Sequence, residues 1–213
     1  MEAVASPGLR AGRHEAPILA VGIALSLTLA GTVLVLGEAG REATRLALRA
    51  TARLSLLYFM IAFVASPLAR LRPGSRTAWL VRHRRAFGIA FAASMSVHVG
   101  CILRLYRLYS PERPPMITQA DFLIGIPGLV LVALMAVTSA ITVRHRIAPA
   151  HWRRLHTVGL YTVWSIFFLC LVDSASRKET SHPIAAYGVF ITILLGGMAV
   201  RVRAHLPVKR RTQ

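Results

Sequence analysis

Two histidines inside apolar stretches are the residues of this sequence whose chemistry is most informative. His98 lies near the middle of the apolar span 86–103, and His156 opens another apolar span directly after Trp152 and two arginines. An ionisable side chain at membrane depth is energetically costly, so it usually has a partner and a function. Neutral imidazole is a common metal ligand, also for haem iron. His98 and His156 are therefore the candidate metal ligands.

The elements that must position these histidines are membrane helices. The chain has 213 residues, 55% of them hydrophobic and 16% charged, and its mean hydropathy is +0.56. Repeated apolar runs of about 20 residues are typical of transmembrane helices. Six such runs occur, at 17–36, 54–68, 87–105, 122–143, 155–172 and 183–200. The sequence thus predicts an all-α membrane protein, a six-helix transmembrane bundle.

Charge predicts the orientation of this bundle. With both termini cytoplasmic, the inner side carries 17 of the 26 basic and two of the eight acidic residues. The positive-inside rule favours this arrangement. We expect a multi-pass protein of the bacterial inner membrane, with anionic lipid at the inner face. The net charge of +18 is divided among helix ends rather than gathered on one soluble face, which argues against nucleic acid as a partner.

The sequence predicts an organisation in three parts. Residues 1–16 form a cytoplasmic N-terminal segment, 17–203 the transmembrane domain and 204–213 a basic cytoplasmic tail. No long soluble segment is present, so we expect no flavin or nucleotide domain. Both cysteines, Cys101 and Cys170, lie inside spans, which argues against a disulfide framework or a structural zinc site.

Four arginines recur every four residues ahead of the second span, on the predicted outer side. Arg41, Arg45, Arg49 and Arg53 share one helical stripe. An interfacial amphipathic turn leading into the second helix would explain them. A bound anion is the alternative interpretation of this stripe.

Each candidate histidine also has a structural interpretation. His98 lies 13 residues past Arg85, roughly 20 Å into the membrane, and could be a core residue bonded to a neighbouring helix. His156 lies only roughly 6 Å from the inner boundary and could be an interfacial residue beside Arg153 and Arg154. The other six histidines lie in loops or at helix ends and are expected to be solvated, although His83 and His151 are close enough to the inner boundary to matter.

Several segments resemble the ferric-reductase-like transmembrane family over the second to fifth helices, about 130 residues. They resemble in particular the bacterial branch of the haem-binding membrane subunit of the periplasmic methionine-sulfoxide reductase system. The segments are Gly40 to Thr44, Ser66 to Arg70, Arg84-Arg85-x-Phe87-Gly88 followed by His98, Ala136 to Ser139, and Trp152 to Tyr161. The spacing from Arg84-Arg85 to His98, together with Trp-x-x-Leu-His, is fairly specific.

The resemblance implies b-type haem held by histidines of parallel third and fifth helices. His98 matches the deeper ligand of the third helix, and His156 the shallower ligand of the fifth. Arg85 and Arg154, with their neighbours Arg84 and Arg153, could contact haem propionates. The family's second fifth-helix histidine is absent, since Leu169 stands there; with one inserted residue, Cys170 takes its place.

His98 and His156 differ in predicted depth by roughly 14 Å, so they do not form an obvious pair on one iron. Three arrangements remain open. His98 ligates haem alone or with Cys170, or each histidine holds a separate haem with another partner, or this branch has lost haem.

These patterns give two main hypotheses for function. The first is a b-type-haem electron-transfer subunit that takes electrons from a quinol or a flavoprotein and passes them to a partner or acceptor. It has no catalytic nucleotide-binding domain of its own, so it would serve as part of an oxidoreductase. The second is a haem-free membrane scaffold or assembly partner, and a small transporter is a weaker third possibility because intramembrane acids are nearly absent.

Overall fold

The part of the chain that the structure describes folds into six long α-helices. The computed structural model describes residues 7–37, 40–110, 112, 119–139, 143, 145–176 and 184–206. Its helices are α1 (Pro7–Leu36), α2 (Arg41–Leu71), α3 (Ser75–Tyr109), α4 (Gln119–Ser139), α5 (Pro149–Ser176) and α6 (Ile184–His205). All six are long and apolar enough to cross a membrane, and the described residues contain no strand. The prediction of an all-α six-helix membrane bundle is confirmed.

Helices α1, α2 and α3 each begin at least ten residues earlier than the apolar runs suggested. Helix α1 begins at Pro7 and continues through Pro17, and α2 begins at Arg41, so the arginine stripe belongs to α2 itself rather than to a separate turn. Helix propensity and interhelical contacts extend a helix beyond its apolar window, so hydropathy alone misplaces the ends. The domain boundaries at 17 and 203 stay predictions, and residues 1–6 and 207–213 lie outside the described residues.

The bundle has two ends, which are named here by one residue each. At the Arg41 end, α2, α4 and α6 begin and α1, α3 and α5 end. At the opposite Arg85 end, α2 and α3 are joined through residues 72–74, where Pro73 prevents α2 from continuing. Because this link is so short, α2 and α3 are antiparallel neighbours, and they form the most extensive helix pair of the bundle.

Helices α2 to α6 form a closed ring. Helix α2 packs on α3, α3 on α4, α4 on α5, α5 on α6, and α6 returns to α2, while α1 packs against α2 and α3. Large apolar side chains on the surface, such as Val35 and Leu123 with more than three quarters exposed, would face lipid. The chain is therefore a multi-pass membrane protein.

Aromatic side chains fill the middle of the ring. Phe59 of α2 lies 5.5 Å from Phe91 of α3 and 5.7 Å from Phe167 of α5, measured between ring centroids. Phe63 adds a fourth ring, 5.4 Å from Phe59. These four residues are called the aromatic cluster. It is the level at which α2, α3 and α5 meet, and it separates the two ends of the ring's interior.

An arginine closes the ring between α2, α5 and α6. Pro67 lacks the N–H that would normally bond to the carbonyl of Phe63 four residues earlier in α2. Arg201 of α6 donates to that carbonyl through Nη1 at 3.0 Å, and through Nε to the Tyr161 hydroxyl of α5 at 3.1 Å. The proline thus creates a free acceptor inside a helix, and a cation from another helix satisfies it.

Candidate functional site

His98 is anchored to α2 through one of its two ring nitrogens. Its side chain is half-buried on α3. Nδ1 lies 3.1 Å from the backbone carbonyl oxygen of Leu48 and 3.2 Å from the Thr51 hydroxyl. Both partners belong to α2, so His98 bonds across the largest helix interface of the bundle.

These contacts fix the tautomer of His98. A carbonyl oxygen only accepts hydrogen bonds, so the proton of neutral His98 must be on Nδ1. Nε2 then carries the lone pair, and it makes no hydrogen bond with the residues that the structure describes. Metal-bound histidines have the same arrangement, with the second ring nitrogen donating to a carbonyl. Nε2 is therefore the nitrogen of His98 that could hold a metal.

Small polar side chains of α2 make this contact possible. Thr51 and Ser55 are fully buried, and each hydroxyl donates to a carbonyl four residues earlier in its own helix, which satisfies it inside the bundle. Similar polar contacts follow the interface from end to end, namely Arg41 to the Leu108 carbonyl, Arg104 to Thr44, Ser55 to Ser94 and Arg84 to Ser66. Together they fix the register of α3 on α2.

His156 has a different environment, at the Arg85 end. Its Nε2 lies 3.3 Å from the Thr138 hydroxyl, and its ring stacks on Trp152 with 4.1 Å between centroids. The Thr138 hydroxyl donates to Leu134 O at 2.6 Å, so it accepts from His156 and the proton of neutral His156 is on Nε2. Trp152 also donates from Nε1 to the Thr138 carbonyl, at 3.1 Å. His156 thus helps to join α4 to α5.

The two histidines lie far apart along the bundle axis. Phe91 and Phe167 mark one level, with 6.1 Å between their centroids. His98 is seven residues from that level and His156 eleven in the opposite direction, which gives roughly 27 Å of helix rise. A second estimate of the separation starts from Arg85. This residue binds the Ser139 carbonyl, next to the Thr138 that His156 contacts, so it lies about level with His156. Arg85 and His98 are 13 residues apart on α3, which gives roughly 20 Å. One iron cannot bind both residues.

A comparison with protein families shows which family this bundle of helices belongs to. Residues 47–170, more than half of the chain, match the model of the ferric reductase like transmembrane component. The chain belongs to the ferric-reductase-like transmembrane family. No curated protein and no solved structure matches it.

The ferric-reductase-like region contains both candidate histidines and Cys170 as its last residue. It begins within α2 and ends within α5, so α1 and α6 lie outside it. Helix α6 nevertheless supplies Arg201, which completes the ring around the family region. The family prediction from sequence is confirmed, and the assignment to the methionine-sulfoxide reductase branch stays a prediction.

Cys170 does not share the position of His98 in this ferric-reductase-like bundle. It lies three residues past Phe167, so its level falls roughly 6 Å short of that of His98. Its side chain is exposed on α5. Among the described residues no group of three or more His, Cys, Asp or Glu side chains could hold a metal ion. Cys170 as second ligand stays a prediction, and the structure does not bring it to His98.

The predicted propionate contacts lie at the Arg85 end. Arg85 donates from Nε to the Ser139 carbonyl and pairs through Nη1 with Glu15 of α1, each at 2.8 Å. Arg154 is exposed on α5. At roughly 20 Å or more from His98 along the axis, both residues could serve only a group held by His156. Arg85 is already a structural link between α1, α3 and α4.

Sequence reasoning missed the partners of His98 and the burial of His83. A signal for the partners exists, since Thr44, Thr51 and Ser55 form a small polar stripe that needs another helix against it. His83, expected to be solvated, is only 7% exposed; its ring lies 4.5 Å from that of Trp79, tilted by 35°, and its Nδ1 contacts the Trp79 carbonyl. No pattern in the sequence separates His83 from the other histidines at helix ends.

Proposed function

We propose that this chain is a membrane electron-transfer subunit that holds a b-type haem on Nε2 of His98. Family membership indicates a membrane electron-transfer component. The observation that carries the finer proposal is the anchored Nδ1 of His98, which leaves Nε2 directed away from its hydrogen-bonded partners. Bound haem would supply a one-electron carrier.

Two features of the chain support a haem at this position. The Leu48 carbonyl and Thr51 orient the imidazole, as outer contacts of metal ligands do. The aromatic cluster on one side of the His98 level provides an apolar surface and excludes water. The second axial ligand and any separate haem at His156 stay predictions.

The proposed orientation places the Arg85 end in the cytoplasm of a bacterial cell. The charge asymmetry between the two sides supports it, through the positive-inside rule. His98 then lies nearer the outer face and His156 at the inner face. A quinol or flavoprotein as electron donor, and a partner protein as acceptor, are proposals of the same kind.

We also propose that anionic lipid binds at the Arg85 end. Arg76, Arg153 and Arg154 are exposed there, and Trp79 is 44% exposed. Arginine and tryptophan together are typical of the interface between membrane and water. Vesicle co-sedimentation with and without anionic lipid would test this contact.

The ultraviolet–visible spectrum of the purified protein, oxidised and then reduced, tests the haem proposal. We expect a Soret band that sharpens and shifts on reduction, with α and β bands of a b-type haem. A colourless protein from haem-replete cells would contradict the proposal.

One observation favours a second function, a haem-free scaffold. Both histidines already bond to a neighbouring helix, His98 to α2 and His156 to α4, so each contributes to packing without a metal. A scaffold predicts that the purified protein stays folded and colourless, and that it co-purifies with a membrane partner.

A further inference from the structure

Helices α3 and α4 have the least extensive contact of all the neighbouring helix pairs in the ring. Two of their side-chain contacts lie at opposite ends of the bundle. Arg85 donates to the Ser139 carbonyl at one end, and at the Arg41 end the rings of Tyr106 and Phe122 lie 5.6 Å apart between centroids. Tyr106 follows Arg85 by 21 residues on α3, roughly 31 Å. This part of the ring wall is therefore the easiest to open toward lipid.

The hydroxyl of Tyr106 is buried at this interface. In the described part of the chain it makes no hydrogen bond. Tyr109, one turn further along α3, differs, because its hydroxyl accepts a hydrogen bond from Arg45 of α2. A buried polar group without a partner costs free energy, which a ligand with an acceptor atom would recover. The phenol of Tyr106 can donate to a carbonyl or a hydroxyl oxygen.

Helix α4 adds a free acceptor and open space beside Phe122. Pro127 lies inside α4 and has no N–H, so the carbonyl of Leu123, four residues earlier, lacks its usual helical donor. Gly125 is half-buried, and a Cβ atom added to it would meet no atom within 4 Å. Leu123 and Ile126 are 77% and 57% exposed, so this part of α4 would face lipid. A free carbonyl, open space and access from lipid thus occur within about one turn of Phe122.

We propose that the head group of a quinone binds between α3 and α4 at the Arg41 end, with one carbonyl oxygen accepting from the Tyr106 hydroxyl. The rings of Tyr106 and Phe122 offer flat apolar surfaces to a flat head group. A quinone is neutral and lipid-soluble, so it reaches the site from the bilayer past Leu123 and Ile126. The reduced form has hydroxyl groups in place of carbonyls, and these also suit the free carbonyl of Leu123.

This site lies near the proposed haem. Tyr106 is eight residues from His98 on α3, roughly 12 Å along the axis. Binding of the quinone stands without a haem, whereas its role as electron donor to a haem on His98 rests on the proposed function. Oxidation of one quinol would break its two O–H bonds, release two protons to the outer water phase and reduce two equivalents of ferric haem.

Removal of the Tyr106 hydroxyl is the sharpest test, because no hydrogen bond of the described residues depends on it. Binding is measured by isothermal titration calorimetry of the purified full-length chain in detergent, with a short-chain ubiquinone and, separately, menadione as probes. We expect Tyr106→Phe to bind at least fivefold more weakly than the wild type and to unfold at the same temperature. The matched control Tyr109→Phe removes a hydroxyl that already has Arg45 as its partner, so it should keep the affinity of the wild type.

The space beside Gly125 gives a second test that leaves Tyr106 intact. Gly125→Leu places a side chain where the head group would lie, so we expect it to abolish measurable binding of both quinones. Its matched control is Gly188→Leu on the exposed side of α6, where an added Cβ atom likewise meets no atom within 4 Å. The control should bind the quinone as the wild type does.

The proposal is overturned if neither quinone binds the wild type, or if Tyr106→Phe or Gly125→Leu binds as well as the wild type. It is also overturned if Tyr109→Phe loses as much affinity as Tyr106→Phe. A colourless wild type that binds a quinone, with the loss in Tyr106→Phe, defeats the haem proposal and supports this one. A wild type that contains haem but binds neither quinone supports the haem proposal and defeats this one.

Discussion

His98 and His156 bond to their neighbouring helices through opposite ring nitrogens. His98 binds α2 through Nδ1, which leaves Nε2 as the basic nitrogen, whereas His156 contacts Thr138 through Nε2 and stacks on Trp152. Both arrangements join two helices, but only the first has the form in which a histidine would be oriented as a metal ligand through Nε2. A histidine at membrane depth is therefore not by itself a metal ligand, because the nitrogen that bonds to the protein decides what the other can do.

The aromatic cluster lies between the level of His98 and the level of His156. Phe59 contacts the rings of Phe63, Phe91 and Phe167 and is 1% exposed. We expect Phe59→Ala to lower the free energy of unfolding by about 2–3 kcal/mol, less than in water-soluble cores because lipid also solvates exposed apolar surface. Thermal unfolding in detergent measures the loss. An unchanged stability would mean that the cluster does not hold the ring together.

Substitutions of Pro67 and Arg201 test the hydrogen bond that joins α2 to α6 near the Arg85 end. Arg201→Gln removes the donor to the Phe63 carbonyl and should cost about 2 kcal/mol. In a Pro67→Ala background, the backbone N–H of residue 67 can bond to that carbonyl, so the same substitution should cost roughly 1 kcal/mol less. Equal costs in the two backgrounds, measured in the same unfolding assay, would show that the freed carbonyl is not what Arg201 serves.

A matched pair of threonines gives the smallest effect and the sharpest comparison. Thr51→Val and Thr138→Val each remove one hydroxyl beside a histidine, at a stability cost of about 0.6 kcal/mol for an interhelical polar contact. Only Thr51→Val should weaken haem retention, roughly tenfold, because it loosens the orientation of His98. Haem loss to apomyoglobin measures this retention. Equal rates for both variants would argue that Thr51 only packs α2 on α3.

The six helices follow from the apolar runs, because a membrane demands about 20 apolar residues for each crossing. Residue counts also predict that His98 lies deeper in the membrane than His156. The predicted separation is too small, however, because Phe91 and Phe167 lie at the same level in the structure. The partner of a buried polar group does not follow. Nothing in the local sequence shows that the Phe63 carbonyl meets Arg201, or that Leu48 meets His98, because such pairs depend on which helices become neighbours.

The arginine stripe shows the same limit. Its four-residue spacing predicts one face of a helix, but the direction of that face depends on the ring formed by α3 and α6. The spacing suggested an interfacial amphipathic turn leading into the second helix, and the contacts of Arg45 with Tyr109 and of Arg53 with Phe190 show in addition that these arginines pack against α3 and α6.

In the proposed function His98 is an iron ligand, and His156 is not required for the same haem. The most direct measurement is the Soret absorbance per protein of His98→Ala beside that of His156→Phe, which keeps an aromatic ring for Trp152. We predict that His98→Ala loses the band while His156→Phe retains it at the level of the wild type. A wild type with haem whose band survives His98→Ala, or disappears only in His156→Phe, would contradict the claim.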